Sequence, residues 1–292
     1  MRYLLRVMAV GMALVFLPAC GGEYQTASEP SYDKTISVSG YKAGGEFKLS
    51  SSPDIRTVEL AANADIKKAE NKKKQLEGLN ICIDPGHGKL TKKINKTEPL
   101  APGSKVMKAA TASGTSGVAT KITEESLNLT VSLKLKKALT EKGAKTIMVR
   151  ETSICNMTNV ERTDFWNKSG ADLTIRIHAN GLDNSKVSGM LMMVPGNKYI
   201  KDKDMLEKSD KIGRYIMDAV LNKTKARSQG TVKSNDMTGF NWSKIPVVLL
   251  EMGFMTNPEE DRLLNTPDYQ DKIVAGIVEG VEKYYSFITE KR

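Results

Sequence analysis

The stretch Asn80-Ile81-Cys82-Ile83-Asp84-Pro85-Gly86-His87-Gly88-Lys89 sets the terms on which the chain folds. A continuous apolar run that ends in Pro-Gly-His-Gly reads as a buried strand followed by a tight turn. The same design returns at Ile175-Arg176-Ile177-His178-Ala179-Asn180-Gly181: apolar run, histidine, turn residues. Only two histidines occur in 292 residues, and both stand at this position. Two scarce imidazoles at the ends of two strands read as parts of one site.

Working outward, the pattern alternates. Strands are expected over 79–83, 144–150, 171–177, 187–195 and 245–251 from their apolar runs. Helices are expected over 123–142, 159–169, around 208–221 and over 273–288. In the first of these, Leu127, Val131, Leu135, Ala138 and Leu139 form one apolar stripe, with Thr123 as cap and Gly143 as terminator. Alternating strands and helices predict an α/β fold, a mostly parallel twisted sheet with helices on both faces, in a single domain spanning 78–292. Residues 89–121, rich in Gly, Ser, Thr and Lys, interrupt the rhythm and are expected as a long loop beside the first histidine.

The N-terminus predicts export. Arg2 and Arg6 precede an apolar run from Val7 to Leu17, which is too short to span a bilayer comfortably, and Leu17-Pro18-Ala19-Cys20-Gly21-Gly22 follows. The LPAC sequence is similar to a bacterial lipobox, in which Cys20 would receive a diacylglycerol; the plain alternative is a secretory peptide with an incidental cysteine. Residues 1–20 are therefore expected as a lipoprotein signal peptide. Residues 21–77, polar and without sustained periodicity, are expected as a tether, with a charged stretch around 61–76 open to helix formation. Two acyl chains anchor stably where one is marginal, so the expected location is the outer face of the cytoplasmic membrane. Only Cys82 and Cys155 then remain, too few for a disulfide framework, and both are expected as buried thiols. The net charge of +10 suits an anionic partner such as lipid headgroups or an acidic wall polymer. No basic block is interleaved with aromatics, so nucleic acid is not an expected partner.

Ligands of open parallel α/β sheets bind at the carboxyl ends of the strands. His87 follows the first strand, His178 ends the third, Glu251 ends IPVVLLE, and Glu124 opens the helix after the long loop. Two imidazoles and a carboxylate match the donor set of hydrolytic Zn2+, which keeps a fourth position open, and a further carboxylate can move protons. Ligand type alone leaves other divalent ions possible. Glu124 and Glu125 both suit a first helical turn on dipole grounds. Glu251, a carboxylate at the end of an apolar strand, has to be either paired or at work. Arg162 reads as a salt-bridging residue or as one that orients the site. Trp166 and the run Met190, Met192, Met193 read as core, and Trp242 as either packing or a sugar platform.

Four segments carry a family resemblance. IDPGHG, TEESLNL, RIHAN and VLLEMGFMTNPEED resemble, in order and spacing, the zinc-dependent N-acetylmuramoyl-L-alanine amidases of bacteria, and DMTGFNWSKIPV is similar to a clostridial branch. The resemblance runs from about 78 to 288. It implies hydrolysis of the amide between N-acetylmuramoyl and L-alanine of peptidoglycan. His87, Glu124 (rather than Glu125, by the register of its Asn-Leu) and His178 would be zinc ligands, and Glu251 the catalytic carboxylate. Lys89 and Arg176 depart from the family's usual glycine and serine. An idle wall-binding protein and a zinc amidohydrolase of another exported substrate are the alternatives. A monomer is expected, and the sequence is silent on any activating protein.

Overall fold

The structure, a computed structural model, describes residues 74–290. The signal sequence, Cys20, and the tether as far as residue 73 lie outside the described residues. The elements run β1 (Asn80–Pro85), β2 (Thr97–Pro99), β3 (Met107–Ala109), α1 (Glu124–Glu141), β4 (Lys145–Met148), α2 (Asn159–Lys168) and β5 (Leu173–Asn180). They continue with β6 (Met190–Pro195), α3 (Lys203–Thr224), β7 (Ser228–Ser234), α4 (Thr238–Asn241), β8 (Val247–Phe254), α5 (Pro258–Leu264) and α6 (Pro267–Thr289).

Six strands form one sheet in the order β4-β1-β5-β8-β6-β7. All neighbours are parallel except β6 and β8, which are antiparallel. The expected mostly parallel sheet is thus present, with one reversal. The chain leaves β1 through α1 to β4 on one side, then crosses back through α2 to β5 on the other. That places a topological switch between β1 and β5, where such sheets open a crevice at their carboxyl ends. His87 and His178 stand at that switch.

Alternation along the strands decides which side chains meet the helices. Ile81, Ile83, Ile175, Ile177, Val248 and Leu250 face one way, into a core closed by α1, α3 and α6. Leu127, Val131, Leu135 and Leu139 of α1 recur every four residues and are at most 1% exposed. Each contributes roughly 1.5–3 kcal/mol by burial. Gly276 and Gly280 let α6 approach α3 closely, since a Cβ at either would fall 2.5 Å from the Cα of Val220 or of Ile216. On the opposite face, Cys82 packs with Trp166 of α2, and Val247 and Leu249 pack with Phe240 of α4. Helices therefore cover both faces, as expected.

Several local expectations change. Residues 89–121 are not simply a loop: β2 and β3 pair as an antiparallel hairpin, Thr97 against Ala109. The strand β7 and the short helices α4 and α5 were not expected. Thr123 is the N-cap of α1 by position, but its side chain makes no capping bond. Cys82 and Cys155 are buried free thiols, and burial raises the Cys82 pKa far above its usual range. Trp166 is fully buried and donates to Ser243 Oγ at 3.1 Å, whereas Trp242 donates to the Pro99 carbonyl at 2.9 Å.

Candidate metal centre

The turn after β1 is built to present His87. His87 adopts a left-handed backbone with φ 58, a conformation that costs a side-chain-bearing residue about 1 kcal/mol or more and persists only where the surroundings impose it. Two arginines impose it. Arg162 donates to the His87 carbonyl and, at 3.1 Å, to the Pro85 carbonyl. Arg150 donates to the carbonyls of Pro85 at 3.1 Å and Gly86 at 2.8 Å. Behind them Asp84, fully buried, accepts from Arg162 Nη1 at 2.5 Å and Arg176 Nε at 2.9 Å. Burial pushes the Asp84 carboxyl up, but the two guanidiniums outweigh it and hold the pKa below the usual range.

The imidazole of His87 is fixed through Nδ1, 2.9 Å from the Ala112 carbonyl. A carbonyl only accepts, so Nδ1 donates to it. Burial would lower the His87 pKa, but the bonds to Glu124 and Ala112 outweigh it and raise it. Nε2 lies 3.1 Å from Glu124 Oε1, and His178 Nδ1 lies 3.1 Å from the same oxygen. The two rings stand edge to face, centroids 4.9 Å apart. Glu124 is held in turn by its neighbours: Oε1 accepts from Asn128 Nδ2 at 3.1 Å and the Ala179 amide at 3.2 Å, and Oε2 from the Thr115 amide at 3.0 Å. Burial would raise its pKa, but the bonds from both histidines win and keep it ionised far below the carboxylate range. Burial presses the His178 pKa down to about 4, against the pull of Glu124, so His178 is neutral.

Glu251 lies directly opposite His178 in the parallel β5–β8 register. Its Oε2 is buried without any hydrogen-bond partner, as is His178 Nε2. Burial, and then repulsion from Glu124, push the Glu251 pKa up to about 8, with Arg176 opposing.

The structure therefore brings together His87, Glu124, His178 and Glu251, all four at the carboxyl edge of the sheet, with Arg162 beneath the turn. One donor atom from each of His87, Glu124 and His178 falls within 4.8 Å of the others. An anionic oxygen between two imidazoles, beside an orphaned buried ring nitrogen, is a donor set that fits a divalent cation. Asp84, Arg150, Arg176, Asn128 and the 111–115 segment that touches both His87 and Glu124 were not singled out as supports in the sequence. The signal for Asp84 was available: it is a carboxylate inside an apolar strand.

A switch-point crevice in an α/β sheet with a His–Glu–His donor set and a second, unpaired carboxylate defines the class of a metal-dependent hydrolase. Over residues 81–283 the sequence matches the N-acetylmuramoyl-L-alanine amidase family, and the chain belongs to that family. It is 27% identical over 226 residues to the germination-specific N-acetylmuramoyl-L-alanine amidase of Bacillus subtilis, covering 72% of this chain and 81% of that protein. Its fold is similar to that of Ami1, an amidase from Mycobacterium smegmatis, with a TM-score of 0.65, 23% identity, and 73% of this chain and 99% of the other covered. An N-acetylmuramoyl-L-alanine amidase from Clostridium difficile 630 aligns with a TM-score of 0.58 at 25% identity, over 73% of this chain and 98% of that one. Among the described residues, no helix is long and apolar enough to cross a membrane.

Proposed function

We propose that this amidase is a zinc enzyme of the cell wall in which His87, Glu124 and His178 hold the ion and Glu251 moves the proton. The observation that carries the reading is the buried, partnerless Glu251 oxygen beside the three-residue donor set. When bound, the ion supplies Lewis acidity, making an amide carbon more electrophilic and water more acidic. Glu251 accepts a proton from the attacking water at its free carboxylate oxygen and returns it to the leaving nitrogen of L-alanine. Burial and the Glu124 charge raise the Glu251 pKa, which favours holding the proton between its two transfers. Arg162 and Arg150 keep the His87 turn in place, and Asn128 and Thr115 keep the Glu124 carboxylate aimed between the rings.

The catalytic domain, assigned from the sequence to 78–292, also takes in the end of the 21–77 tether segment, where Leu76 is fully buried in the core. The export signal and its LPAC ending support lipidation at Cys20 and work on the wall from the outer face of the cytoplasmic membrane. The basic charge supports attraction to anionic wall and lipid. All four site residues come from one chain, which supports action as a monomer.

The test uses the purified chain on intact peptidoglycan, after chelation and after zinc is restored. New L-alanine amino ends that appear with zinc and vanish with chelator are expected. One zinc bound per chain with no such ends would refute the proposal.

A further inference from the structure

Three guanidinium groups lie buried beneath the histidine turn, and their donors are used unequally. Arg150 donates to four carbonyl oxygens, those of Pro85, Thr152, Gly86 and Glu125. Arg162 donates to Asp84 and to the carbonyls of Pro85 and His87. Arg176 is only 5% exposed, yet it gives one bond, from Nε to Asp84 Oδ2 at 2.9 Å. Neither of its amino groups donates to a protein oxygen among the described residues. Asp84, the carboxylate it meets, is already shared with Arg162. The Trp166 ring, 5.7 Å from the guanidinium carbon, gives it a face to rest on but accepts no directed bond.

The idle donors border a space. A cavity of about 540 Å³ opens beside the site, lined by His87, His178, Arg162, Arg176, Gly239 and, from the β2–β3 hairpin, Lys108. Lys108 is exposed and its ammonium is bound to the Asp236 carbonyl at 2.9 Å, so Arg176 is the inner, buried charge with capacity left. Gly239 keeps that end of the space clear, since a Cβ there would lie 2.9 Å from Arg176 Nη1. Arg176 and His178 are two residues apart on the same face of β5, a separation of roughly 7 Å. That is about the extended distance from an amide nitrogen to the backbone carboxyl of the next residue.

We infer that Arg176 is a specificity-determining residue whose free amino groups bind a carboxylate of the stem peptide close to the scissile amide. The inference rests on the amidase reading for the identity of that peptide. Its second residue, a glutamate joined through its side chain, carries an α-carboxyl that is either free or amidated. A carboxylate matches the planar fork of a guanidinium with two acceptors. A carboxamide offers one acceptor and turns an N–H group toward the other amino group. The site should therefore distinguish the two forms, where a serine at this position would not.

The test is calorimetric binding of L-alanyl-γ-D-glutamyl-L-lysine amide to the zinc-loaded full chain, with the glutamate α-carboxyl either free or amidated. The wild type is expected to bind the acid about tenfold or more tightly than the amide. Arg176→Met is expected to lose the preference, and Arg176→Lys, which keeps the charge and the reach to Asp84, to retain part of it. On muropeptides the Arg176→Met effect is expected in KM more than in kcat, and for the acid form only. Equal affinity of the wild type for the two peptides overturns the inference without recourse to any variant, as does binding of neither. An undiminished preference in folded Arg176→Met overturns it too. A clear acid preference in a protein that cuts no wall amide supports the anion subsite and sinks the amidase reading instead.

Discussion

His178 on β5 and Glu251 on β8 are register partners in a parallel pair, so an imidazole and a carboxylate leave the sheet side by side on one face. Glu124 reaches the same imidazole from the first residue of α1. Two carboxylates thus flank one ring, but only Glu124 is satisfied by hydrogen bonds. Glu251→Gln removes the proton acceptor and keeps the shape. Turnover of peptidoglycan should fall by roughly 10²–10⁴-fold, with metal content per chain unchanged after dialysis. A parallel loss of metal would make Glu251 a ligand instead.

The pH dependence of stability follows from the same carboxyl. Its folded pKa is raised, from 4.5 to about 8, the reverse of the usual carboxylate. Below 4.5 both folded and unfolded chains are protonated and the group is neutral to stability. Between about 4.5 and 8 the unfolded chain has released a proton that the folded chain retains, so stability falls as pH rises and levels off above that window. Relative to chelated Glu251→Gln, chelated wild type should lose up to a few kcal/mol across it, since His178, at about 4 when folded, pulls stability the other way in both proteins. Urea midpoints near pH 5 and pH 8 decide this, and equal slopes in the two proteins would place the effect elsewhere.

Among the described residues, Asp84 is the sole carboxylate bonded to Arg162 and Arg176. Asp84→Asn leaves two buried guanidiniums without their counter-charge, and a loss of about 3–5 kcal/mol is expected. Denaturant unfolding measures it. A loss below about 1 kcal/mol would show that water or the neighbouring carbonyls satisfy both arginines unaided.

Arg162 acts on His87 through the backbone, so its replacement should register in metal binding as well as in stability. For Arg162→Met, affinity for zinc is expected to drop about 10–100-fold, the usual effect of losing a group that orients a ligand. Competition with a chromophoric chelator gives the number. Wild-type affinity in the variant would reduce Arg162 to a partner of Asp84.

Much of this arrangement is legible in the sequence because each strand–turn junction carries its own pattern. Glu251 stands out as a carboxylate ending an apolar run, and the same argument applied to ICIDP picks out Asp84. Its partners cannot be read locally, since Arg162 and Arg176 lie 78 and 92 residues away. Nor does local pattern choose between Glu124 and Glu125: both fit a first helical turn, and only in the fold is Glu124 seen to be 4% exposed and aimed at the rings. The strand β7 escapes notice because none of its residues is buried, so no apolar alternation marks it. The hairpin strands Thr97–Pro99 and Met107–Ala109 are three residues each, too short to show a period.

Gly86 gives the sharpest structural test of where His178 sits. A Cβ on Gly86 would lie 2.3 Å from His178 Cε1 and 2.5 Å from Nε2, well inside contact distance. The ring has little freedom to yield, because its Nδ1 is bonded to Glu124 at 3.1 Å. The Gly86 backbone has little freedom either, with its carbonyl accepting from Arg150 at 2.8 Å and Asn128 at 3.4 Å. Gly86→Ala should therefore displace the imidazole, weaken zinc binding by more than about tenfold and cost roughly 1–3 kcal/mol as an overpacked site. Gly103→Ala is the control: its φ is +74 with nothing within 4 Å, so it strains the backbone and leaves the site alone. It should lose stability and keep its metal affinity. Full affinity in Gly86→Ala would mean that His178 binds the ion from a position other than the one it holds against this turn.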